Sequence, residues 1–317
     1  VDISDLKPHE KEFGKSRALV RGVCSEFKRR GYNVGAFDAT TASDVLSGSG
    51  LSSSAAFEVL LGTIVNHLFN DGKVSDVEIA QIAQAAENKF FGKPCGLLDQ
   101  MTSSVGSFVE IDFADPAKPV IEKVNFDFAS CGYALCIVDT GGSHSDLTDE
   151  YAAVRKEMES VAAYLGKSVL REVDESEFVK NIADIRSSCG DRAVLRAMHF
   201  YGDNARVEKQ AAALRAGDIK TFMKYIIESG RSSYMYNQNV YSCKKAAEQP
   251  VSLALSLSEK LLDGCGAWRV HGGGFAGTIQ AFVPLNKLDE YKDLMEKVFG
   301  SGSCYVLSVR PVGGVEL

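Results

Sequence analysis

The run Gly48-Ser49-Gly50-Leu51-Ser52-Ser53-Ser54-Ala55-Ala56 passes straight into Phe57, Val59, Leu60, Ile64 and Leu68, so a glycine and serine turn feeds a strongly apolar helix. Glycines let a backbone approach an anion closely, while serines offer capping oxygens and hydroxyl donors. The N–H groups that open the helix, reinforced by its dipole, favour phosphate. A phosphate cradle is therefore expected from Gly48, Ser49, Gly50, Leu51, Ser52, Ser53 and Ser54. It is not a Walker loop, because no lysine follows it. The two Gly-Lys-Ser runs, at Gly14-Lys15-Ser16 and Gly166-Lys167-Ser168, carry His9 and Val161 where the earlier glycine is required. Nor is it a dinucleotide fingerprint, since Ser53 holds the third glycine position.

A second segment, from Glu87 to Gln100, reads Glu-Asn-Lys-Phe-Phe-Gly-Lys-Pro-Cys-Gly-Leu-Leu-Asp-Gln. Gly92, Pro94 and Gly96 forbid regular helix there, and the carboxylates Glu87 and Asp99 flank the break. Phosphoryl transfer from a nucleotide needs carboxylates for two tasks, holding Mg2+ through hard oxygens and orienting the attacking hydroxyl. Taken alone, Asp99 at the opening of a new segment also reads as a helix cap. A third segment, from Arg269 to Thr278, places Gly272, Gly273 and Gly274 between two strand-like runs. Three glycines exceed what a hairpin requires and suggest close approach of another backbone or of a ligand. A hydrolase triad built on His271, or on His144 with Ser143 and Asp146, is set aside: no Gly-x-Ser-x-Gly elbow is present, and neighbours in sequence seldom form a triad.

The remainder of the chain bounds the answer. Of 317 residues, 45% are hydrophobic and 24% charged, the balance of a globular protein with a sizeable core. A net charge of -7 argues against nucleic acid as a partner, because phosphate backbones are bound by basic surfaces. No apolar run approaches the roughly 20 residues of a spanning helix, and residues 1–10 lack the regions of a signal peptide, so no membrane partner is expected and the location is read as cytoplasmic. Eight cysteines without a CxxC pair read as reduced, mostly buried thiols.

Helical periodicity is expected over residues 16–30, from the serine turn to about 69, and over 75–90. Residues 32–45 alternate apolar and polar, as do 107–113 and 133–138, which read as strands. Residues 149–225 are mostly amphipathic helix. Beyond them the order is helix (253–262), strand (267–271), glycine turn, strand (278–283), helix (288–298) and strand (304–310), a pattern that packs helices on one face of an antiparallel sheet. The fold class is α+β in two domains, 1–125 and 126–317.

The three segments together resemble the GHMP kinases: Gly50-Leu51-Ser52-Ser53-Ser54-Ala55-Ala56 looks like their nucleotide loop and Gly272-Gly273-Gly274-Phe275 like their third motif. Asp44-Val45, Phe57-Glu58-Val59 and Pro94-Cys95-Gly96-Leu97-Leu98-Asp99-Gln100 are similar to the galactokinase family within that group. The resemblance implies an N-terminal α/β sandwich that binds nucleotide and a C-terminal ferredoxin-like domain. It implies ATP and Mg2+ as cofactors, with Ser54 and Glu87 on the metal, Asp99 as the catalytic carboxylate at the C1 hydroxyl of galactose, and Cys95 and Gly96 beside the substrate. The implied product is galactose 1-phosphate, and the implied form is a monomer or weak homo-oligomer. A kinase of another sugar such as N-acetylgalactosamine, or a non-catalytic regulator that binds ATP and sugar, remains open. The family's opening signature, with its Gly-Glu-His-x-Asp-Tyr run, has no match, so part of the sugar site is expected to be missing from this chain. Where the family often carries a Tyr-Glu-Val-Ser run touching the sugar, residues 229–239 read Ser-Gly-Arg-Ser-Ser-Tyr-Met-Tyr-Asn-Gln-Asn, leaving Tyr234 and Tyr236 both open.

Overall fold

The structure is a computed structural model that describes residues 1–43, 52–93, 95–115, 117–142, 147–275 and 277–317. Contacts gather into two compact units, Val1–Val109 with Val309–Leu317, and Glu110–Ser308. The sequence-based division at 125/126 lies within the second of these. Among the described residues no helix is long and apolar enough to cross a membrane.

The first unit is built on α1 (Ser16–Arg29), α2 (Ser53–Asn70), α3 (Asp76–Ala86) and α4 (Leu98–Val105). Its core joins Val23, Cys24 and Phe27 of α1 to Val59, Leu61 and Val65 of α2 and to Ile79, Ile82 and Ala83 of α3. Two glycines permit these crossings: a Cβ on Gly22 would stand 2.8 Å from the Ala86 Cβ, and one on Gly62 would stand 2.8 Å from Ile79. The start of α3 is set by sequence, because Ser75 caps it by accepting the Glu78 N–H, and its hydroxyl donates to the Glu78 carboxylate at 3.3 Å. The end of α3 is unusual: the chain continues as a π-turn, Glu87–Phe91, before Gly92 stops it at φ +79°. Residues 32–43, for all their alternation, form no strand.

Next along the chain, β1 (Phe108–Asp112) pairs with β2 (Val120–Val124), a strand that sequence pattern does not reveal because most of its residues are exposed. The second unit then runs through β3 (Tyr133–Asp139), α5 (Thr148–Tyr164), α6 (Glu175–Lys180), α7 (Ile182–Cys189), α8 (Asp191–Arg215), α9 (Ile219–Ser232), α10 (Pro250–Leu262), β4 (Ala267–Val270), β5 (Thr278–Pro284), α11 (Leu288–Phe299) and β6 (Cys304–Leu307). Its four strands lie in the order β4-β5-β3-β6, every pair antiparallel, with Cys136 opposite Ala281 on one side and Val306 on the other. With α5 to α9 set aside as an insertion after β3, the chain order is βαββαβ, the ferredoxin-like arrangement.

One face of this sheet, through Ala134, Cys136, Val138, Ile279, Ala281 and Val283, packs on Val251, Ala254 and Leu262 of α10 and on Tyr291 and Met295 of α11, as the sequence suggests. The other face is covered too, which alternation alone does not disclose. Phe282 of β5 stacks with Phe222 of α9 and with Phe128, and Gly230 of α9 lies so close to β4 that a Cβ there would be 2.8 Å from that of Arg269. The helical insertion has its own core, in which Val161, Phe178, Ile185, Ala197 and Tyr201 are buried. Arg196 is buried there as well, but paired: it donates to the Glu157 carboxylate at 2.9 Å and to the Asn237 carbonyl at 3.0 Å.

The last strand ends at Leu307, before the expected residue 310, and the chain returns to the first unit. The Ser107 N–H donates to the Arg310 carbonyl at 2.7 Å, and Gly313 lies against the Ser104 carbonyl, where a Cβ would come within 1.6 Å. The thiols are less buried than expected. All eight cysteines are free, but only Cys24, Cys136 and Cys304 are buried, and Cys131 and Cys243 are exposed.

Gly273 and Gly274 have a structural explanation in close contacts, whereas Gly272, at φ +64°, has open space where a Cβ would stand. A Cβ on Gly273 would press on the Tyr151 ring at 2.8 Å, and one on Gly274, at φ +80°, would stand 1.9 Å from the Asn239 carbonyl oxygen. Tyr151 Oη donates to the Gly274 carbonyl at 2.7 Å, and Asn239 Nδ2 donates to that of Gly273 at 3.1 Å. The close approach is therefore made by this chain's own backbone and ring. Gly274→Ala is expected to lower stability by about 1–3 kcal/mol, from a strained backbone conformation and the displaced Asn239. Urea unfolding measures it, and an unchanged midpoint would refute the packing argument.

Candidate active site

Of the expected phosphate cradle, Gly48, Ser49, Gly50 and Leu51 lie outside the described residues, while Ser52, Ser53 and Ser54 lie inside them. Ser53 is the first residue of α2, and Ser52 precedes it in the left-handed region at φ 57°. That conformation is uncommon for a residue with a side chain and marks a constrained turn. The Ser52 hydroxyl does not cap α2. It donates instead to Asp99 Oδ2 at 2.6 Å, a charge-assisted bond that joins the first and second sequence segments.

Asp99 lies in the first turn of α4 with its residue exposed, so one side of its carboxylate is oriented by serine while the residue stays open to solvent. One turn into α2, the Ser54 hydroxyl donates to Glu87 Oε1 at 3.1 Å. Glu87 opens the π-turn after α3 and is only 2% exposed. Insertion of a π-turn re-aims side chains relative to a continuing α-helix, and here it is the first residue of that turn that meets α2. The same Oε1 lies 3.4 Å from the ammonium of Lys93, so this oxygen already attracts positive charge, while Glu87 Oε2 accepts from Gln100 Nε2 at 2.8 Å.

Cys95 and Gly96 have different surroundings. The Cys95 N–H donates to Asn88 Oδ1 at 2.6 Å, and its thiol sits 3.5 Å from Gln100 Nε2. Burial, followed by the Glu87 carboxylate, pushes that thiol up to about 12, so it stays protonated and is no nucleophile. Gly96 is exposed, with open space where a Cβ would stand. Ser143, His144 and Asp146 lie outside the described residues, whereas the His271 imidazole Nδ1 is 3.1 Å from Gln280 Oε1.

Sequence reasoning overlooked Glu58 and Gln100. Glu58 stands four residues after Ser54 on α2, hence on the same face, and its residue is fully buried; Gln100 is 1% exposed. Gln100 Nε2 donates to Glu58 Oε2 at 3.1 Å as well as to Glu87. The available signal was a carboxylate inside the apolar run from Phe57 to Leu61, since acidic side chains are seldom fully buried without a role. Burial, with the Glu87 carboxylate next, pushes the Glu58 carboxyl up to about 8, so it is a neutral acid at pH 7.

The donors around Glu87 suit a hard cation. Mg2+ takes oxygen ligands, retains several waters, and is bound through one or two carboxylates plus substrate phosphates. Ser54 Oγ beside Glu87 Oε1, the carboxylate oxygen that Gln100 does not hold, provides such a set. Among the described residues there is no group of three or more His, Cys, Asp or Glu able to hold a metal.

Comparison with known proteins adds to this geometry. Residues 18–107, which carry the whole of the cluster just described, match the family model of the GHMP kinases N terminal domain. The chain is 31% identical over 296 residues to the galactokinase of Actinobacillus pleuropneumoniae serotype 3 (strain JL03), covering 91% of this chain and 72% of that protein. The chain belongs to the galactokinase family. Another member, from Thermotoga petrophila, is 31% identical over 282 residues, with 89% of this chain and 74% of that one covered. The family fold is also found in the crystal structure of Lactococcus lactis galactokinase complexed with galactose, at a TM-score of 0.75 and 22% identity, covering 99% of this chain and 79% of that chain. A D-glycero-D-manno-heptose 1-phosphate kinase structure is more distant, at a TM-score of 0.59 and 16% identity over 98% of this chain and 76% of its own. The Ser52–Asp99 and Ser54–Glu87 pairs thus lie in the part of the chain that defines the superfamily.

Proposed function

We propose that this chain transfers the terminal phosphoryl group of ATP to the C1 hydroxyl of galactose, giving galactose 1-phosphate and ADP. The observation that carries the reading is the arrangement at the N-terminal end of α2: an exposed carboxylate oriented by Ser52, one turn from a serine and carboxylate pair able to take Mg2+. Membership of the galactokinase family supports the choice of sugar.

In this reading Ser52, Ser53 and the first N–H groups of α2 receive phosphate oxygens, with the helix dipole favouring their charge. Ser54 and Glu87 hold Mg2+, which supplies neutralisation of the charge on the phosphate oxygens. Asp99 orients the sugar hydroxyl and accepts its proton late, as that oxygen becomes acidic on bonding to phosphorus. Because a carboxylate is a weak ground-state base, most of the acceleration comes from alignment and charge neutralisation. The free thiols and acidic surface fit a cytoplasmic enzyme that does not bind nucleic acid.

The test is ADP release from ATP and Mg2+ in the presence of galactose, N-acetylgalactosamine or glucose. Release that depends on galactose, with kcat/KM for it above the others, is the expected result. A preference for N-acetylgalactosamine would move the substrate, and ATP binding without turnover of any sugar would replace the enzyme by a regulator.

A further inference from the structure

We propose that Glu58 and Gln100 form a buried positioning pair that determines which oxygen of Glu87 is presented to the metal, and so governs how strongly Mg2+ assists ATP binding. The inference deepens the Mg2+ reading given above and rests on it.

The Gln100 amide has two hydrogens to donate. Gln100 Nε2 lies between Glu58 Oε2 at 3.1 Å and Glu87 Oε2 at 2.8 Å, so each carboxyl group takes one N–H. Glu87 Oε2 is thereby occupied, and Oε1 is left facing the Ser54 hydroxyl. Were the amide reversed, its carbonyl oxygen would meet Glu87 Oε2 with lone pair against lone pair. Glu58 Oε2 accepts the other N–H from the opposite side and so holds the amide group between the two carboxyls. The chain connectivity supports coupling: Glu58 lies on α2 with Ser54, Glu87 ends α3, and Gln100 follows Asp99 on α4.

The pair is not explained by stability. Among the described residues neither Glu58 Oε1 nor Gln100 Oε1, both buried, has a hydrogen-bond partner, and each such orphan costs about 1–3 kcal/mol. Apolar side chains at positions 58 and 100 together would carry no such penalty, and the one at 58 would continue the run of Phe57, Val59, Leu60 and Leu61. A costly polar group kept behind a metal ligand matches the general behaviour of outer hydrogen-bond partners, whose removal weakens metal binding by about 10–100-fold.

The experiment is calorimetric titration of ATP into the whole chain, with excess Mg2+ and with EDTA, for the parent, Glu58→Met and Glu58→Gln. The expected result is that Glu58→Met loses at least about tenfold of the affinity gained from Mg2+ while its metal-free ATP affinity is unchanged. Glu58→Gln, which keeps a carbonyl oxygen to accept from Gln100, restores the gain. A purely structural role would shift both affinities together or lower the unfolding temperature alone, and either pattern, or a full Mg2+ gain in Glu58→Met, overturns the proposal. If Glu58→Met does not fold, Gln100→Met is titrated in the same way with the same expectation, and a full gain there overturns it equally. A parent that binds ATP with a Mg2+ gain but phosphorylates no sugar sinks the galactose reading and leaves this comparison intact. A parent with no Mg2+ gain sinks both.

Discussion

Asp99→Asn is expected to lower galactose-dependent turnover by about 10²–10⁴-fold, the range for loss of a positioned proton acceptor, while ATP affinity in the presence of Mg2+ is retained. Asparagine has nearly the same volume, and its carbonyl oxygen can still accept from Ser52 Oγ, which now stands 2.6 Å from the carboxylate. What it cannot do is take the hydroxyl proton or bear a negative charge beside it. Of the groups assigned to ATP, Ser54 and Glu87 make their own contacts and do not depend on Asp99, and Ser52, which does touch it, keeps an acceptor in the asparagine carbonyl. The separation of kcat from ATP affinity is therefore the diagnostic, read from steady-state kinetics together with calorimetry. Turnover within tenfold of the parent would remove Asp99 from the chemistry and leave it as a partner that fixes the Ser52 turn.

The residues of this candidate site stand out in the sequence because they break local rules. Serines in an oxygen-rich turn before an apolar helix, and carboxylates around a segment that Gly92, Pro94 and Gly96 keep out of regular helix, have few bland explanations. Pairing was not readable. That Ser52 would find Asp99, and Ser54 find Glu87, depends on the packing of α2 against α3 and α4 and on the π-turn at Glu87, neither of which leaves a periodic trace.

The fold shows the same division. Strand alternation located β3, β4, β5 and β6 because their inward residues bury against α10 and α11. It gave no partner for the outer face, since Phe282 looks the same in sequence whether solvent, a second copy or Phe222 of α9 covers it. β2 escaped for the opposite reason: it is held less by burial than by Arg215, which reaches Glu110 of β1 and Glu122 of β2 at 2.6 Å each. The triple glycine was recognised as a place of close approach, yet whether a ligand or the Asn239 carbonyl makes that approach is a matter of tertiary structure.

Glu58 supplies the second large effect, in stability as a function of pH. Its ordinary pKa is 4.5, and in the fold burial, followed by the charge of Glu87, pushes it up to about 8; Asp99 acts in the same direction, and Gln100 and Lys93 act against it. Between those two values the unfolded chain has released the proton and the native one retains it. Stability conferred by the neutral form therefore declines as pH rises, by about 1.4 kcal/mol per unit, and levels off above the folded value. Glutamine cannot ionise and does not pay this cost, whereas every other titrating group is shared by the two proteins and cancels in the difference. Glu58→Gln is accordingly expected to gain on the parent by up to about 4 kcal/mol between pH 5 and pH 8, measured as the difference in urea unfolding free energy across that range. Parallel pH profiles would mean that Glu58 is ionised in the fold with a carboxylate's usual pKa, and the neutral acid behind Glu87 would then be ruled out.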